Sequence, residues 1–324
     1  MTDPTRDLRD ALRDAVIDLA AQDPRILVLD SDVAVATKLF AFKDVYPNRF
    51  IQLGIAEQNT ISFAAGLANV GFVPLVNAFG CFASRRAVDQ VYVHLAYAKS
   101  NVKILGGSAG LTTPNTGATH QEQIALAFMR AIPNMTVIEP ADEPELRSAL
   151  RWITEYSGPV YLRLTRTDID GGPRDVSPEG YVFQAGTGST LRNGSDVTLI
   201  GCGLMVSRCL DAAELLAKEG ISARVINMAS VKPIDEKLVV QAAQETGRIV
   251  TAENHTIIGG LGGAIAEVIS EQCPVPVIRV GIRDRFGESG ALSDLCEKYG
   301  LTASVVAEAA RCAIKAGSRT KTAI

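Results

Sequence analysis

Few side chains in this sequence stand where they could do chemistry, and Glu57 is the first of them. It follows Phe50-Ile51-Gln52-Leu53-Gly54-Ile55-Ala56, which reads as a short buried strand and a glycine turn. It precedes Thr60 to Asn69, a small-residue run that reads as a helix. A carboxylate in a first helical turn favours the positive end of the helix dipole and caps a free amide. Taken alone, Glu57 is satisfied by the capping role.

Only three histidines are present. His120 closes the polar stretch Gly107 to Thr119, which is longer than a connection needs, and opens a predicted helix to about Ala131. It is a candidate titratable group, with capping as the equal alternative. His255 ends a strand in Glu253-Asn254-His255, and ligands gather at the carboxyl ends of parallel strands. His94, beside Tyr92, Val93 and Tyr97, is expected to pack half-buried in a helix. Arg85, Arg86, Arg163 and Arg166 are candidates to grip a phosphate with a planar guanidinium fork, and Arg166 directly follows an apolar strand. Gly201-Cys202-Gly203 lacks the third glycine of a dinucleotide fingerprint, since Val206 stands there, and reads as a tight turn. Gly259 to Gly263 could hold an anion on backbone amides or simply let a helix pack closely. No Walker loop and no G-x-S-x-G elbow occurs.

The elements that must position these groups alternate. Continuous apolar runs at 25–29, 73–79, 102–106, 135–138 and 160–164 predict strands covered on both faces. Helices are predicted between them at 5–22, from Glu57, near 85–98, from His120 and at 142–156. Such alternation means a mainly parallel α/β sheet. Asp168 to Glu179, rich in Asp, Gly and Pro, reads as a boundary. A second α/β run follows, with strands at 196–200, 223–228, 248–252 and 276–280 and helices at 204–218, 235–246 and 260–271. The tail after Ser318 is expected to fray.

The chain has 324 residues and a net charge of −4, which suits two soluble domains and gives no reason to expect nucleic acid or an anionic membrane as partner. No apolar stretch is long enough for a bilayer, and the polar start Met1 to Asp7 is expected to be no targeting peptide. Six scattered cysteines without C-x-x-C spacing imply a reducing, cytoplasmic setting.

Taken together, Gly54-Ile55-Ala56-Glu57-Gln58-Asn59, Phe79-Gly80-Cys81-Phe82, Arg86-Ala87-Val88-Asp89-Gln90, Gly117-Ala118-Thr119-His120-Gln121, Val231-Lys232-Pro233-Ile234-Asp235 and Glu253 to Gly262 resemble the transketolase family of thiamine diphosphate enzymes. The likeness covers nearly the whole chain and is to the C-terminal section of a transketolase split into two subunits. It implies a thiamine diphosphate-binding-fold pyrimidine domain over 1–172, a linker over 173–190, a transketolase C-terminal α/β domain over 191–318 and a tail over 319–324. It also implies two-carbon ketol transfer between phosphosugars.

By the same resemblance, Glu57 matches the glutamate that hydrogen-bonds the cofactor's aminopyrimidine and favours its imino tautomer, which then takes the thiazolium proton. Phe79 and Phe82 match the aromatic pocket of the pyrimidine, and Asp32, Ile55 and Arg86 join the expected cofactor contacts. His120 matches a substrate-site histidine and Arg166 an arginine on the sugar phosphate. The family's Gly-Asp-Gly motif with its downstream Asn is absent here. Magnesium and the diphosphate are therefore expected on a separate N-terminal subunit, with no metal ligand in this chain and a heterotetramer as the working assembly. Ordinary members carry histidine where Ser108 stands, aspartate where Thr116 stands, and a phosphate-contacting serine where Ala36 stands. Catalysis is thus expected to be kept while sugar recognition is altered, with apulose 4-phosphate as one candidate and an unphosphorylated sugar another. The rival expectations are a 1-deoxyxylulose 5-phosphate synthase-like enzyme, a 2-oxoacid dehydrogenase beta subunit, and a non-catalytic regulatory subunit.

Overall fold

The computed structural model describes residues 7–166 and 174–320, so the sequence readings for Met1 to Arg6, for Thr167 to Pro173 and for the last four residues lie outside it. Its strands in chain order are β1 (Ile26–Asp30), β2 (Phe50–Gln52), β3 (Val73–Phe79), β4 (Lys103–Gly107), β5 (Thr136–Ile138), β6 (Val160–Leu164), β7 (Ser189–Arg192), β8 (Val197–Gly201), β9 (Ala223–Asn227), β10 (Ser230–Lys232), β11 (Ile249–Thr256) and β12 (Val277–Ile282).

Among the described residues the first sheet has seven strands in the order β10-β5-β6-β4-β3-β1-β2 and the second has five, β12-β11-β8-β9-β7. All pairings are parallel except β10 on β5 and β7 on β9. The unbroken apolar runs explain the first sheet, because β1, β4 and β6 are buried along their whole length. Val28, Leu75, Leu105 and Leu162 face a core with the helix Leu8–Gln22 and the helix Glu143–Glu155. Val76, Ile104 and Tyr161 face a second core, which continues through Ile200 and Ile226 of the other sheet and Ile265 of the helix Leu261–Gln272. At about 25 cal/mol per Å² of apolar area, this continuity ties the two halves strongly together.

Several elements differ from the sequence expectation. The helix expected from His120 begins at Ala125, because the Glu122 carboxylate accepts the Ile124 and Ala125 amides and caps the helix there. The segment near 85–98 is broken into Gly80–Arg85, Val88–Gln90 and a wide π-helical stretch, Val91–Tyr97. Strands β7 and β10, and the helices Phe40–Val45, Leu292–Tyr299 and Ala303–Thr320, are not among the elements expected from the sequence. β7 begins at Ser189, inside the expected linker. The linker itself is pinned, since Asp142 accepts the amides of Val176 and Ser177 and Ser148 accepts that of Phe183.

Candidate active site

Glu57 opens the helix Glu57–Asn69 and is 1% exposed. The turn before it needs Gly54 at φ 75°, where a Cβ would be strained. A buried polar hub fixes that turn from below. Asp30, at the end of β1, accepts Asn77 Nδ2 at 2.7 Å and Gln52 Nε2 at 2.6 Å, and Gln52 Oε1 accepts the Gly54 amide at 2.9 Å. Glu57 does not cap its own helix with its side chain. Its Oε2 instead accepts Arg86 Nη1 at 2.5 Å, and among the described residues its Oε1 has no hydrogen-bond partner. The capping role that would suffice for an isolated acid is therefore not the one Glu57 plays.

Arg86 is held where the helical segment breaks, and its guanidinium lies 4.5 Å over the ring of Phe82. Phe82 lies 5.3 Å from the His120 ring and 6.2 Å from Phe79, and Phe79 lies 6.2 Å from His120. Glu57, Arg86, Phe82, His120 and Phe79 thus form one continuous row. His120 Nδ1 pairs with Thr119 Oγ1 at 2.8 Å, and Nε2 has no partner among the described residues. Cys81, between the two phenylalanines, is no nucleophile, because burial pushes its thiol up to about 11.

Ser108, Ala36 and Arg166 meet in a second place. They line a narrow cavity of about 20 Å³, room for about one water, with Arg9, Thr37 and Asn77. A Cβ on Gly107 would sit 3.5 Å from Thr37 Cγ2 and 3.9 Å from Phe79 Cδ1, so the cavity adjoins the aromatic row. Arg9, Thr37, Asn77 and Asp30 escape the sequence reading. Asn77 and Asp30 carry a signal, as polar residues within or ending apolar strands. Arg9 carries none, since a charged helix residue is ordinarily solvated.

Other candidates fall elsewhere. Asp32 is exposed, with only its amide on Gln52 Oε1, and Ile55 is 70% exposed. Thr116 is exposed, and its hydroxyl donates to the Thr113 carbonyl. His94 is exposed rather than packed, with Nδ1 on Ser62 Oγ. His255 is buried as a joint between halves, where Nε2 accepts the Leu126 amide and Nδ1–H donates to the Thr256 carbonyl. The amides of Leu261 and Gly262 hold no free anion, because the Glu253 carboxylate takes both. Arg163 is also withdrawn from any ligand. It is fully buried and bonds Glu122, Glu139 and the Asn254 carbonyl, while Glu139 accepts the Cys202 thiol. Arg85 donates to the Thr119 carbonyl behind His120. Among the described residues no His, Cys, Asp and Glu cluster could hold a metal ion, and no helix is long and apolar enough to cross a membrane.

Two mainly parallel α/β units, the first carrying the carboxylate–arginine–aromatic–histidine row, make up a transketolase-like fold. Residues 5–170 match the pyrimidine-binding domain of transketolase and residues 186–306 its C-terminal domain. The chain belongs to the transketolase family, whose enzymes depend on thiamine diphosphate, and it corresponds to the section that split-gene members make as a separate subunit. It is 46% identical over 303 residues to the 6-deoxy-6-sulfo-D-fructose transketolase subunit SqwH of Clostridium sp. (strain MSTE9), covering 94% of this chain and 93% of that one. It is 37% identical to one of the subunits of the apulose-4-phosphate transketolase of Phocaeicola vulgatus, covering 90% of this chain and 93% of that one. A solved split-gene transketolase, described as an inactive beta4 tetramer, superposes with a TM-score of 0.87 at 43% identity, covering 96% of this chain and 99% of that one. Relatives also include 1-deoxy-D-xylulose-5-phosphate synthases.

Proposed function

We propose that this chain is the pyrimidine-binding half of a two-subunit ketol transferase, and that Glu57 is its proton partner. The observation that carries the reading is the buried Glu57 carboxylate, with Oε2 fixed by Arg86 and Oε1 without a partner among the described residues, beside half-exposed aromatic rings. That donor set fits an aminopyrimidine: one carboxylate oxygen for a ring nitrogen, two phenyl faces for the ring. Glu57, Phe79, Phe82 and Arg86 would hold it, with Ile55 and Asp32 at the rim. Bound thiamine diphosphate would supply the nucleophilic carbon and electron sink for cleaving a carbon–carbon bond.

The chain's own residues then divide the work. Glu57 Oε1 shares a proton with the pyrimidine nitrogen, and Arg86, bonded to Oε2, keeps the carboxylate aimed. His120 Nε2 exchanges a proton with a sugar oxygen. Arg166, half-buried, takes the anionic end of the sugar outside the one-water cavity that it lines with Ser108 and Ala36. Magnesium and the diphosphate fall to a separate N-terminal subunit in a cytoplasmic heterotetramer.

Ala36, Ser108 and Thr116, in place of the usual serine, histidine and aspartate, support a donor other than the ordinary phosphosugars. The names of two relatives, one for a sulfonated ketose and one for apulose 4-phosphate, support the same class. The test is two-carbon transfer by the chain reconstituted with its partner subunit. Turnover of a sulfonated or branched donor should exceed that of xylulose 5-phosphate. Equal turnover of xylulose 5-phosphate would defeat the substrate reading, and carbon dioxide release from pyruvate would instead mark a synthase. If Glu57→Ala lost only a few-fold, the chain would be a regulatory subunit.

A further inference from the structure

A second groove, of about 640 Å³, lies on the C-terminal domain, between β12, residues 283–285 and the corner joining the helices Leu292–Tyr299 and Ala303–Thr320. Its size is that of a small-molecule site. Four cationic side chains line it, Arg279, Arg283, Arg285 and Lys298, against two acidic ones, Glu297 and Glu308. Lys298 is engaged by Glu288 and Glu308 by Arg311. The three arginines make no ion pair among the described residues, and their side chains donate to backbone carbonyls, those of Ile257, Arg279 and Lys298. Three arginines lining one groove with no ion pair among the described residues, against Glu297 and an already engaged Glu308, are unusual on a chain of net negative charge, where surface arginines mostly pair with acids. The opposite wall is apolar, with Val305 and Ala309, and Tyr299 carries the Arg285 guanidinium 4.1 Å over its ring.

The segment after the arginines runs to the loop that carries His120. Tyr299 Oη donates to the Phe286 carbonyl at 2.7 Å, Gln121 Nε2 donates to the Glu288 carbonyl at 3.0 Å, and the Gly290 amide donates to the Pro114 carbonyl at 3.1 Å. A Cβ on Gly117 would sit 2.9 Å from Ser289 Oγ, so the two loops touch closely.

We infer that this groove binds a small organic phosphate, its phosphate on Arg279, Arg283 and Arg285 and its apolar body against Val305 and Ala309, and that occupancy stiffens loop 112–121. Planar forks match phosphate oxygens two at a time, and an apolar wall rewards a ligand body that inorganic phosphate lacks. The contacts through 286–290 give occupancy a route to Gln121, next to His120.

Adenosine 5′-monophosphate serves as the probe, titrated calorimetrically into the full chain, with inorganic phosphate as comparator. The expected result is saturable binding of the nucleotide, tighter than phosphate, weakened about tenfold or more by Arg283→Ala/Arg285→Ala, whose side chains are exposed and whose loss should spare the fold. Cys312, an exposed thiol in the groove wall, provides a second readout, since occupancy should slow its alkylation. Hydrogen exchange over 112–121 should slow on binding. No binding, equal binding by the double variant, or phosphate as tight as the nucleotide would overturn the site. Unchanged exchange over 112–121 would overturn the coupling. None of these readouts uses the transferase reaction, so they stand apart from a failure of the proposed activity.

Discussion

Two places in the molecule are built from the same parts, a glutamate and an arginine, and they work in opposite ways. Under the seam, Arg163 is fully buried and spends its donors on Glu122, Glu139 and two carbonyls. In the candidate site, Arg86 is 43% exposed and commits to a single oxygen of Glu57. A saturated buried network has nothing left to offer a ligand, and losing one member strands a charge in low dielectric. An unsaturated one has a desolvated oxygen still to be matched. The difference teaches that the count of partners, more than residue type or burial, separates a structural ion pair from a chemical one here.

Four substitutions would break or sharpen this contrast. The largest effect should come from Glu57→Gln in the reconstituted enzyme, a loss of about a hundredfold to ten-thousandfold in kcat with an unchanged melting curve. A loss of stability instead would make Glu57 a structural acid. Next, Arg163→Met should lower unfolding free energy by roughly 3–5 kcal/mol in urea, because Glu122 and Glu139 are left without a counter-charge. A small change there would mean that the seam tolerates neutralisation.

Lys103 tests a third arrangement, a buried cation that meets no carboxylate among the described residues: its ammonium donates to the Tyr156 and Gly158 carbonyls and lies 5.3 Å from the centre of the Tyr156 ring. Burial lowers its pKa from 10.5 to about 7. The unfolded chain therefore binds more protons than the folded one between those values, so this group's contribution to stability rises with pH through that window and is flat below it. Relative to Lys103→Met, wild-type stability should gain about 2 kcal/mol between pH 7 and pH 9 in urea titrations. Using the difference removes the buried thiols, which titrate in the same range. A gap that does not move with pH would show that Lys103 keeps its proton when folded. The smallest effect is expected from Arg86→Ala. Arg86 is half exposed, but its loss leaves the buried Glu57 carboxylate unmatched, so stability should fall by about 1–2 kcal/mol, while kcat falls about tenfold as Glu57 loses its anchor.

Much of this is legible in the residues, for identifiable reasons. The unbroken runs around Val28, Ile104 and Leu162 announce a covered parallel sheet, because strands buried on both faces leave no polar alternation. Glu57, Phe79, Phe82, Arg86 and His120 are legible only as a set, since each alone is equally well explained by capping or packing. Arg163 and His255 mislead for a physical reason. Both sit at or near strand ends, where ligands bind in open sheets, but here the other half of the chain meets each: the Asn254 carbonyl accepts from Arg163, and the Leu126 amide donates to His255. Asp32 is the expected contact where its neighbour Asp30 is the buried acid, because strand periodicity does not say which acid at a strand end turns inward. The start of the helix at Ala125 depends on the Glu122 side chain reaching its own downstream amides, which no hydrophobic pattern encodes.

β10 has a consequence for how the chain can be divided. It comes from the second half of the sequence yet supplies the outer rung of the first sheet, pairing Ser230 with Ile138 and Lys232 with Val137. A fragment cut in the 174–188 segment would leave β5 with a bare row of amides and carbonyls, an invitation to self-association. The two domains are therefore joint owners of one sheet. Domain swapping between relatives should succeed only when the swapped piece carries its own edge strand with it.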